Sequence, residues 1–253
     1  MAESKYCMGL VSVSFRTHTP QEIIKAAVGA SLSCIEWGSD VHAPCDDIEN
    51  LKQIAKLQKD YGISCSSYGT YFRLGETPTQ ELAKYIEAAK ILGTDVIRVW
   101  CGTKNGADMT CKEKEDLLAD CREAAHMAEE HGVTLCLECH IQTFTEHLSD
   151  AIWLMEQINS ECFGMYWQPH QTKSVHDNLC YAQAIAPYTR HIHVFQWKGE
   201  ERFSLNDGID EWRGYLDKFT SPRTLLLEFM PDNRIESLPT EADALRIIIG
   251  ESK

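Results

Sequence analysis

Polar side chains interrupt apolar, β-branched segments of the sequence at or near the carboxyl ends of those segments. They are Glu36, Glu138, His140, Gln168, His193 and Glu228. Burying a carboxylate in a run such as TLLLEFM, residues 224–230, is unfavourable unless a cation or a network of donors compensates for it. Two glutamates with an imidazole and an amide oxygen therefore predict one divalent metal site. The predicted ligands are Glu138, Gln168, His193 and Glu228. A set of oxygen and nitrogen ligands without thiolate favours Mn, Mg or Co, with Zn as a further option.

Each of these residues also has an ordinary structural interpretation. A glutamate at the end of a strand is often a surface or capping carboxylate, and a histidine such as His193 can lie in a core and bond to a carbonyl. The recurrence of Glu138, His193 and Glu228 in the same kind of apolar segment favours the metal site over these separate interpretations.

The elements that would position these residues alternate regularly. Short apolar runs predict strands at 7–15, 32–37, 63–69, 95–102, 133–140, 163–168, 191–197 and 224–230. Helical periodicity lies between them, at 19–30, 46–62, 79–93, 112–132, 149–159, 177–187, 208–219 and 239–250. Thr19 before Pro20 is typical of a helix N-cap followed by proline at the first helical position.

Eight alternating strand and helix units predict an α/β fold, a single (β/α)8 TIM barrel formed by one domain over residues 1–253. An open, doubly wound sheet is the alternative. It usually carries a glycine-rich phosphate loop after the first strand, and the segment SVSFRTHTP at 12–20 contains no glycine. In a barrel, all the polar strand ends meet at one mouth, where active sites of this fold are found.

Composition limits the classes of partner. The chain has 253 residues and a net charge of −14, which repels the phosphates of nucleic acid. No apolar run approaches the length of a membrane span, and the start MAESKYCMG is unlike a signal peptide. Eleven cysteines, an odd number scattered along the chain, indicate reduced thiols in a cytoplasmic protein without structural disulfides. We therefore expect a small-molecule substrate, no nucleic acid partner and no membrane, and leave a homo-oligomer open.

Four segments resemble the xylose isomerase-like superfamily of sugar phosphate isomerases and epimerases, which are single-domain TIM barrels. The segments are IEWGSDVH at 35–42, LCLECH at 135–140, HIHVFQW at 191–197 and LLLEF at 225–229. In its ketose 3-epimerases, Glu, Asp, His and Glu from strands five to eight hold one divalent metal. The resemblance assigns Glu138, His193 and Glu228 to three of these positions and makes the two glutamates the catalytic acid/base pair.

The sequence departs from this pattern in strand six, where the superfamily usually has Asp followed three residues later by His. Here the run is Trp167, Gln168, Pro169 and His170. Either Gln168 is the ligand through its amide oxygen, which supplies no charge, or His170 takes that role in another register.

Further residues near the predicted strand ends are candidate substrate contacts, of which the resemblance itself implies His140 and Trp37. The set is Glu36, Trp37, His42, Tyr68, Trp100, His140, His170, Lys198 and Arg202. The predicted reaction of a carbohydrate substrate is proton removal next to a carbonyl polarised by the metal, through an enediolate, which gives isomerisation or epimerisation.

Three other functions share this barrel. An inosose-type dehydratase would use the same first step and then expel hydroxide. A sugar-binding barrel without catalysis is suggested by the uncharged Gln168. A relative of the abasic-site endonucleases is disfavoured, because it would need several more His and Asp ligands and a basic face.

Overall fold

The structure is a computed structural model that describes residues 6–221 and 223–251. Ten strands are formed within these residues. They are β1 (Tyr6–Val11), β2 (Cys34–Gly38), β3 (Ser64–Leu74), β4 (Val96–Cys101), β5 (Thr134–Glu138), β6 (Phe163–Trp167), β7 (Thr189–Val194), β8 (Gln196–Lys198), β9 (Glu201–Phe203) and β10 (Arg223–Leu227). Eight of them close a barrel in the order β1-β10-β7-β6-β5-β4-β3-β2.

The barrel strands are all parallel, and a helix follows each of them along the chain. The helices are α1 (Pro20–Gly29), α2 (Ile48–Tyr61), α3 (Leu82–Leu92), α4 (Cys111–His131), α5 (Leu148–Ile158), α6 (Val175–Ile185), α7 (Ile209–Leu216) and α8 (Leu238–Ile249). The predicted (β/α)8 barrel is therefore confirmed. None of these helices is long and apolar enough to cross a membrane.

Local signals fix where the helices begin. The Thr19 side chain accepts from the Glu22 backbone N–H while the Glu22 carboxylate accepts from the Thr19 backbone N–H, which is a capping box at the start of α1. Pro20 occupies the first helical position, as the sequence predicts.

Three predicted strands differ clearly from the structure. The third continues to Leu74, five residues beyond its predicted end at 69. The first ends at Val11, because residues 12–15 turn into a short 3-10 helix. The seventh is divided. Its barrel part ends at Val194, and residues 196–198 then pair with 201–203 in an antiparallel hairpin. An apolar run can thus be shared by a buried strand and the loop structure that follows it, and periodicity alone does not separate them.

Apolar packing has two layers. A large cluster joins the outward-facing strand residues to the inner faces of the helices. A smaller cluster lies inside the barrel and contains Val11, Val13, Cys34, Cys136, Tyr166 and Leu226. The interior of the barrel is therefore a filled core and not a pore.

Candidate active site

The four side chains predicted as metal ligands meet at the carboxyl end of the barrel. His193 lies on β7, and its Nδ1 atom is 3.0 Å from Oε1 of Gln168. The same nitrogen lies 3.4 Å from Oε2 of Glu228 and 3.7 Å from Oε1 of Glu138. His193 is almost fully buried, and both glutamates are buried as well. One imidazole nitrogen thus faces an oxygen of each of the other three side chains.

The structure brings Gln168, and not His170, to this group. The described contacts of the His170 ring go to Thr172, at 3.1 Å from Nδ1, and to Glu146, at 3.8 Å from Nε2. Its backbone is fixed by Asn178, whose side chain accepts from the His170 N–H. The geometry therefore favours Gln168 as the strand-six residue of the site.

A buried arginine that the sequence analysis did not identify completes the group. Arg98 on β4 donates from Nε to Oε1 of Glu36 at 3.1 Å and from Nη1 to Oε2 of Glu138 at 2.5 Å. Ser67 donates to the other oxygen of Glu36 at 2.9 Å. Gly69 makes room for this ion pair, because a Cβ atom there would lie only 2.6 Å from Oε1 of Glu36.

A signal for Arg98 was present in the sequence. An arginine in the middle of the apolar run DVIRVWCG, residues 95–102, needs buried anions in the same way that the buried glutamates need a cation. The sequence analysis instead attributed the compensation of the buried Glu138 carboxylate to a metal.

The ion pairs keep two carboxylates charged despite their burial. Burial by itself raises the pKa of Glu36, but the charges of His193 and Arg98 outweigh it and lower the pKa to about 2. Burial also raises the pKa of Glu138. Arg98 and His193 outweigh this effect and hold the pKa of that carboxyl well below its ordinary range. Both groups are therefore carboxylates at neutral pH.

The pKa values of Glu228 and His193 are raised instead of lowered. Burial raises the pKa of Glu228 to about 7, assisted by the negative charge of Glu138 and opposed by His193 and Arg98. Burial lowers the pKa of His193, but Glu228 and Glu36 outweigh it and raise the value to about 10. The two glutamates that face His193 thus have strongly different proton affinities, which is typical of acid/base pairs in active sites.

The backbone directly after Glu228 is strained. Phe229 has a φ of 52°, in the left-handed region that bulky residues rarely adopt. Its N–H donates to the Ser14 hydroxyl at 3.0 Å, which holds this conformation in place. Strain of this kind is found at sites where the surrounding structure fixes a functional side chain.

Aromatic and cationic residues form one wall of the mouth. Trp100 donates from Nε1 to Oε2 of Glu138 at 2.5 Å, and its ring lies 4.9 Å from that of His140. Tyr71 packs against the same indole at 5.3 Å between ring centroids, and the Arg73 guanidinium lies 4.5 Å from its centre. Trp100 and His140 therefore both lie beside Glu138.

Two cations predicted as substrate contacts lie on the hairpin of β8 and β9. Arg202 stacks between Trp197 and Phe229, 4.7 Å from each ring. Lys198 is exposed and forms an ion pair with Glu211 on α7 at 3.2 Å. Arg202 is thus anchored beside the residue that follows Glu228, whereas Lys198 is directed toward a helix.

Three predicted substrate contacts have packing roles instead. Trp37 follows the inward-pointing Glu36, so alternation directs it outward, where Nε1 donates to Gln58 of α2 at 2.5 Å. Tyr68 is fully buried, and its hydroxyl donates to the Ala43 carbonyl. His42 is also buried, and its ring nitrogens contact the Ser12 hydroxyl and the His18 carbonyl.

The side chains around His193 carry the kinds of atom that bind a divalent ion. The ligand candidates provide two carboxylates, one amide oxygen and one imidazole, and cis ligands at about 2.1 Å from an ion are about 3.0–3.4 Å apart. Glu36, Glu138 and Glu228 with Arg98 carry two net negative charges when all are ionised and His193 is neutral. In residues 6–221 and 223–251, no group of three or more His, Cys, Asp or Glu side chains is arranged so that it could hold a metal ion.

Comparisons with known proteins agree with the fold. A model of the xylose isomerase-like TIM barrel family matches residues 24–248. No curated protein matches the chain in sequence.

Solved structures of the same fold are similar over nearly the whole chain. The probable 3-DHS dehydratase AsbF, involved in petrobactin synthesis, from Bacillus anthracis has a TM-score of 0.78 and 17% identity, covering 94% of this chain and 98% of that one. D-psicose 3-epimerase from Clostridium cellulolyticum H10, solved with D-tagatose, has a TM-score of 0.69 and 13% identity, covering 97% and 99%. The IOLI protein with a bound zinc atom has a TM-score of 0.75 and 14% identity, covering 96% and 98%.

Proposed function

Because the chain belongs to the xylose isomerase-like TIM barrel family, we propose that it is a divalent-metal-dependent isomerase or epimerase of a sugar or sugar phosphate. The observation that carries this proposal is the convergence of Glu138, Gln168 and Glu228 on Nδ1 of His193. The similarity to a sugar epimerase and to a barrel with bound zinc supports the same class of reaction and cofactor.

The metal ligands in this proposal are Glu138, Gln168, His193 and Glu228. When bound, the divalent ion would supply Lewis-acid polarisation of the substrate carbonyl. Mn, Mg and Co suit the oxygen-rich donor set, and Zn is a further option. Arg98 has a separate task, because its two hydrogen bonds hold Glu36 and Glu138 in fixed positions.

Glu228 is the proposed proton-transfer group. A carboxyl with a pKa of about 7 can both accept and return a proton at neutral pH, which is the condition for efficient general acid/base catalysis. In an isomerisation, its carboxylate takes the proton from the hydroxyl-bearing carbon next to the carbonyl and returns it to the carbonyl carbon, while the proton of that hydroxyl passes to the carbonyl oxygen. In an epimerisation, Glu138 is the second proton-transfer group: as a carboxylate it removes the proton from one face of the carbon, and protonated Glu228 delivers a proton to the other face.

The mouth supplies the proposed substrate contacts. Trp100 and His140 form an aromatic surface beside Glu138, suited to the apolar face of a sugar ring or chain. Arg202 on the hairpin packs against Phe229, the residue that follows Glu228. It is proposed to bind a negatively charged group of the substrate. The net charge of −14 and the free cysteines suit a small-molecule enzyme of the cytoplasm.

Deuterium exchange from solvent tests the proposal. The protein is loaded with Mn²⁺, incubated in D₂O with a panel of ketoses, their phosphates and inososes, and deuterium incorporation next to the carbonyl is read by NMR. We expect incorporation into at least one ketose, and a loss of about a hundredfold or more in Glu228→Gln. Glu241→Gln is the matched control, because Glu241 is a buried glutamate on α8 that bonds to Ser204 and Leu205.

Two outcomes contradict this assignment. Absence of exchange with every ketose by the metal-loaded protein excludes the proposed reaction and leaves a sugar-binding barrel without catalysis. Retained exchange in a folded Glu228→Gln variant moves the base elsewhere, with His140 as the first candidate.

A dehydratase acting on a cyclic polyhydroxy ketone is the second candidate. Its specific support is the similarity to the probable 3-DHS dehydratase. The reaction would share proton removal by Glu228 and would then lose hydroxide from the carbon beyond. Mass spectrometry of the product distinguishes the two, because a dehydratase product is lighter by one water and an isomerase product has unchanged mass.

A further inference from the structure

The end of the barrel opposite the candidate active site contains a large cavity. Its volume is about 1030 Å³, and the residues around it lie at the amino ends of the strands, among them Cys7, Val96, Thr134, His191 and Thr224. Cys7 is exposed there. A solute that enters this cavity therefore reaches the Cys7 thiol directly.

A second thiol lies directly behind Cys7. The Sγ atoms of Cys7 and Cys34 are 3.5 Å apart, and Cys34 is buried. The two residues belong to the neighbouring strands β1 and β2, in which Gly9 lies opposite Cys34. A Cβ atom at Gly9 would be only 2.5 Å from Cys34 Sγ, so the missing side chain of Gly9 lets Cys34 lie across β1 toward Cys7.

The neighbour also activates the exposed thiol. A hydrogen bond from Cys34 lowers the pKa of Cys7 to about 6, although burial opposes the shift, and Ser33 Oγ lies 3.1 Å from the same sulfur. The thiolate is the nucleophilic form of cysteine, so at neutral pH most Cys7 is in the reactive state.

Other cysteines have only part of this arrangement. Cys101 and Cys121 are 3.8 Å apart, but both are buried. Cys111 and Cys180 are exposed, and the described thiol contact of Cys180 goes to His176 rather than to a cysteine. Exposure and a close second thiol are combined at Cys7.

We propose that Cys7 and Cys34 form an oxidisable dithiol, in which hydrogen peroxide entering the cavity converts the two thiols into a disulfide. The Cys7 thiolate attacks one peroxide oxygen, the O–O bond breaks, and Cys7 becomes a sulfenic acid while hydroxide leaves and takes up a proton. The Cys34 sulfur then attacks Cys7 Sγ, and the S–O bond breaks. The departing hydroxide combines with the thiol proton of Cys34 to form water. Two thiols are oxidised, one peroxide is reduced to two waters, and the sulfurs move from 3.5 Å to about 2.0 Å apart.

The modification is independent of the proposed isomerase reaction. The dithiol lies at the amino end of β1 and β2, whereas Glu138 and Glu228 lie at the carboxyl end of the barrel. The bond would tie two neighbouring strands together at that end and can be reversed by a thiol reductant.

Peptide mapping of the whole protein tests the proposal. Fully reduced protein is exposed to hydrogen peroxide at neutral pH, remaining thiols are alkylated, and the protein is digested without reductant. We expect one linked peptide pair containing Cys7 and Cys34, two hydrogens lighter than the separate peptides and released by dithiothreitol. The link should persist in the control Cys111→Ser and disappear in Cys7→Ser.

The order of the two steps gives a second readout. In Cys34→Ala, the Cys7 sulfenic acid has no partner, so dimedone should label Cys7 several-fold more than in the wild type. If this variant fails to fold, the wild-type map decides the question alone. Direct conversion of Cys7 to sulfinic acid without a link to Cys34, or alkylation of Cys7 no faster than that of Cys111, overturns the proposal.

Discussion

Arg98 donates from Nη1 to Oε2 of Glu138 at 2.5 Å, and the side chains of both partners are at most 6% exposed. The same guanidinium holds Glu36 through Nε. One permanent cation thus fixes two carboxylates inside the barrel and leaves Oε1 of Glu138 directed at His193. Arg98 therefore positions two of the carboxylates that surround His193.

Removal of this cation should strongly destabilise the protein. We expect Arg98→Met to lower the free energy of unfolding by about 3–5 kcal/mol, because Glu36 and Glu138 would be left as buried charges without a partner. The control is Arg16→Met, since Arg16 pairs with Asp40 at the surface and should contribute about 0–1 kcal/mol. Urea unfolding followed by circular dichroism measures both. Equal, small losses in the two variants would contradict a structural role for Arg98.

The sequence was sufficient for the fold and for the residues around His193. Eight apolar runs separated by amphipathic helices predict the barrel, and a polar residue at the end of such a run has to point into the mouth or be buried at a cost. Strand seven shows the limit of this reasoning, because residues 196–198 pair with 201–203 in a local hairpin and do not continue the barrel strand.

Side-chain direction explains the remaining differences. Trp37 is adjacent to Glu36, so an inward Glu36 requires an outward Trp37, and this parity could have been read from the sequence. The pairing of Arg98 with Glu36 could not be read in the same way, since 62 residues separate them and the contact depends on how the barrel closes.

A matched pair of tryptophans tests the distinction between site and packing. Trp100 and Trp37 each donate one indole hydrogen bond, to Glu138 and to Gln58 respectively. Trp100→Phe should slow solvent exchange of the substrate by about tenfold, because Glu138 loses one of its donors. Trp37→Phe should leave that exchange rate unchanged and lower the free energy of unfolding by about 1–3 kcal/mol, because a buried polar group loses its partner. The reverse pattern would return Trp37 to the substrate contacts.

Metal affinity should rise with pH. The pKa of His193 is about 10, and a ligand nitrogen has to be free of its proton, so binding displaces a proton at any lower pH. Below the Glu228 pKa of about 7, a second proton is displaced as well. The association constant for Mn²⁺ should therefore increase about tenfold per pH unit above that value and more steeply below it.

Calorimetric titration in buffers of different ionisation enthalpy counts the released protons, and a titration without release would contradict the ligand set. His126→Gln, an exposed histidine on α4, is the control and should leave the profile unchanged.

The uncharged strand-six residue gives the sharpest test of the ligand set. Gln168→Glu keeps the reach of the side chain. It puts a carboxylate oxygen where the amide oxygen lies, 3.0 Å from Nδ1 of His193. A new negative charge beside a divalent ion should tighten Mn²⁺ binding by a few kcal/mol at most, since the effective dielectric constant in proteins is about 20. His170→Ala should leave the affinity unchanged, because the described contacts of that ring go to Thr172 and Glu146. Calorimetry on both variants decides between the registers: unchanged affinity in Gln168→Glu together with loss of metal in His170→Ala would make His170 the ligand.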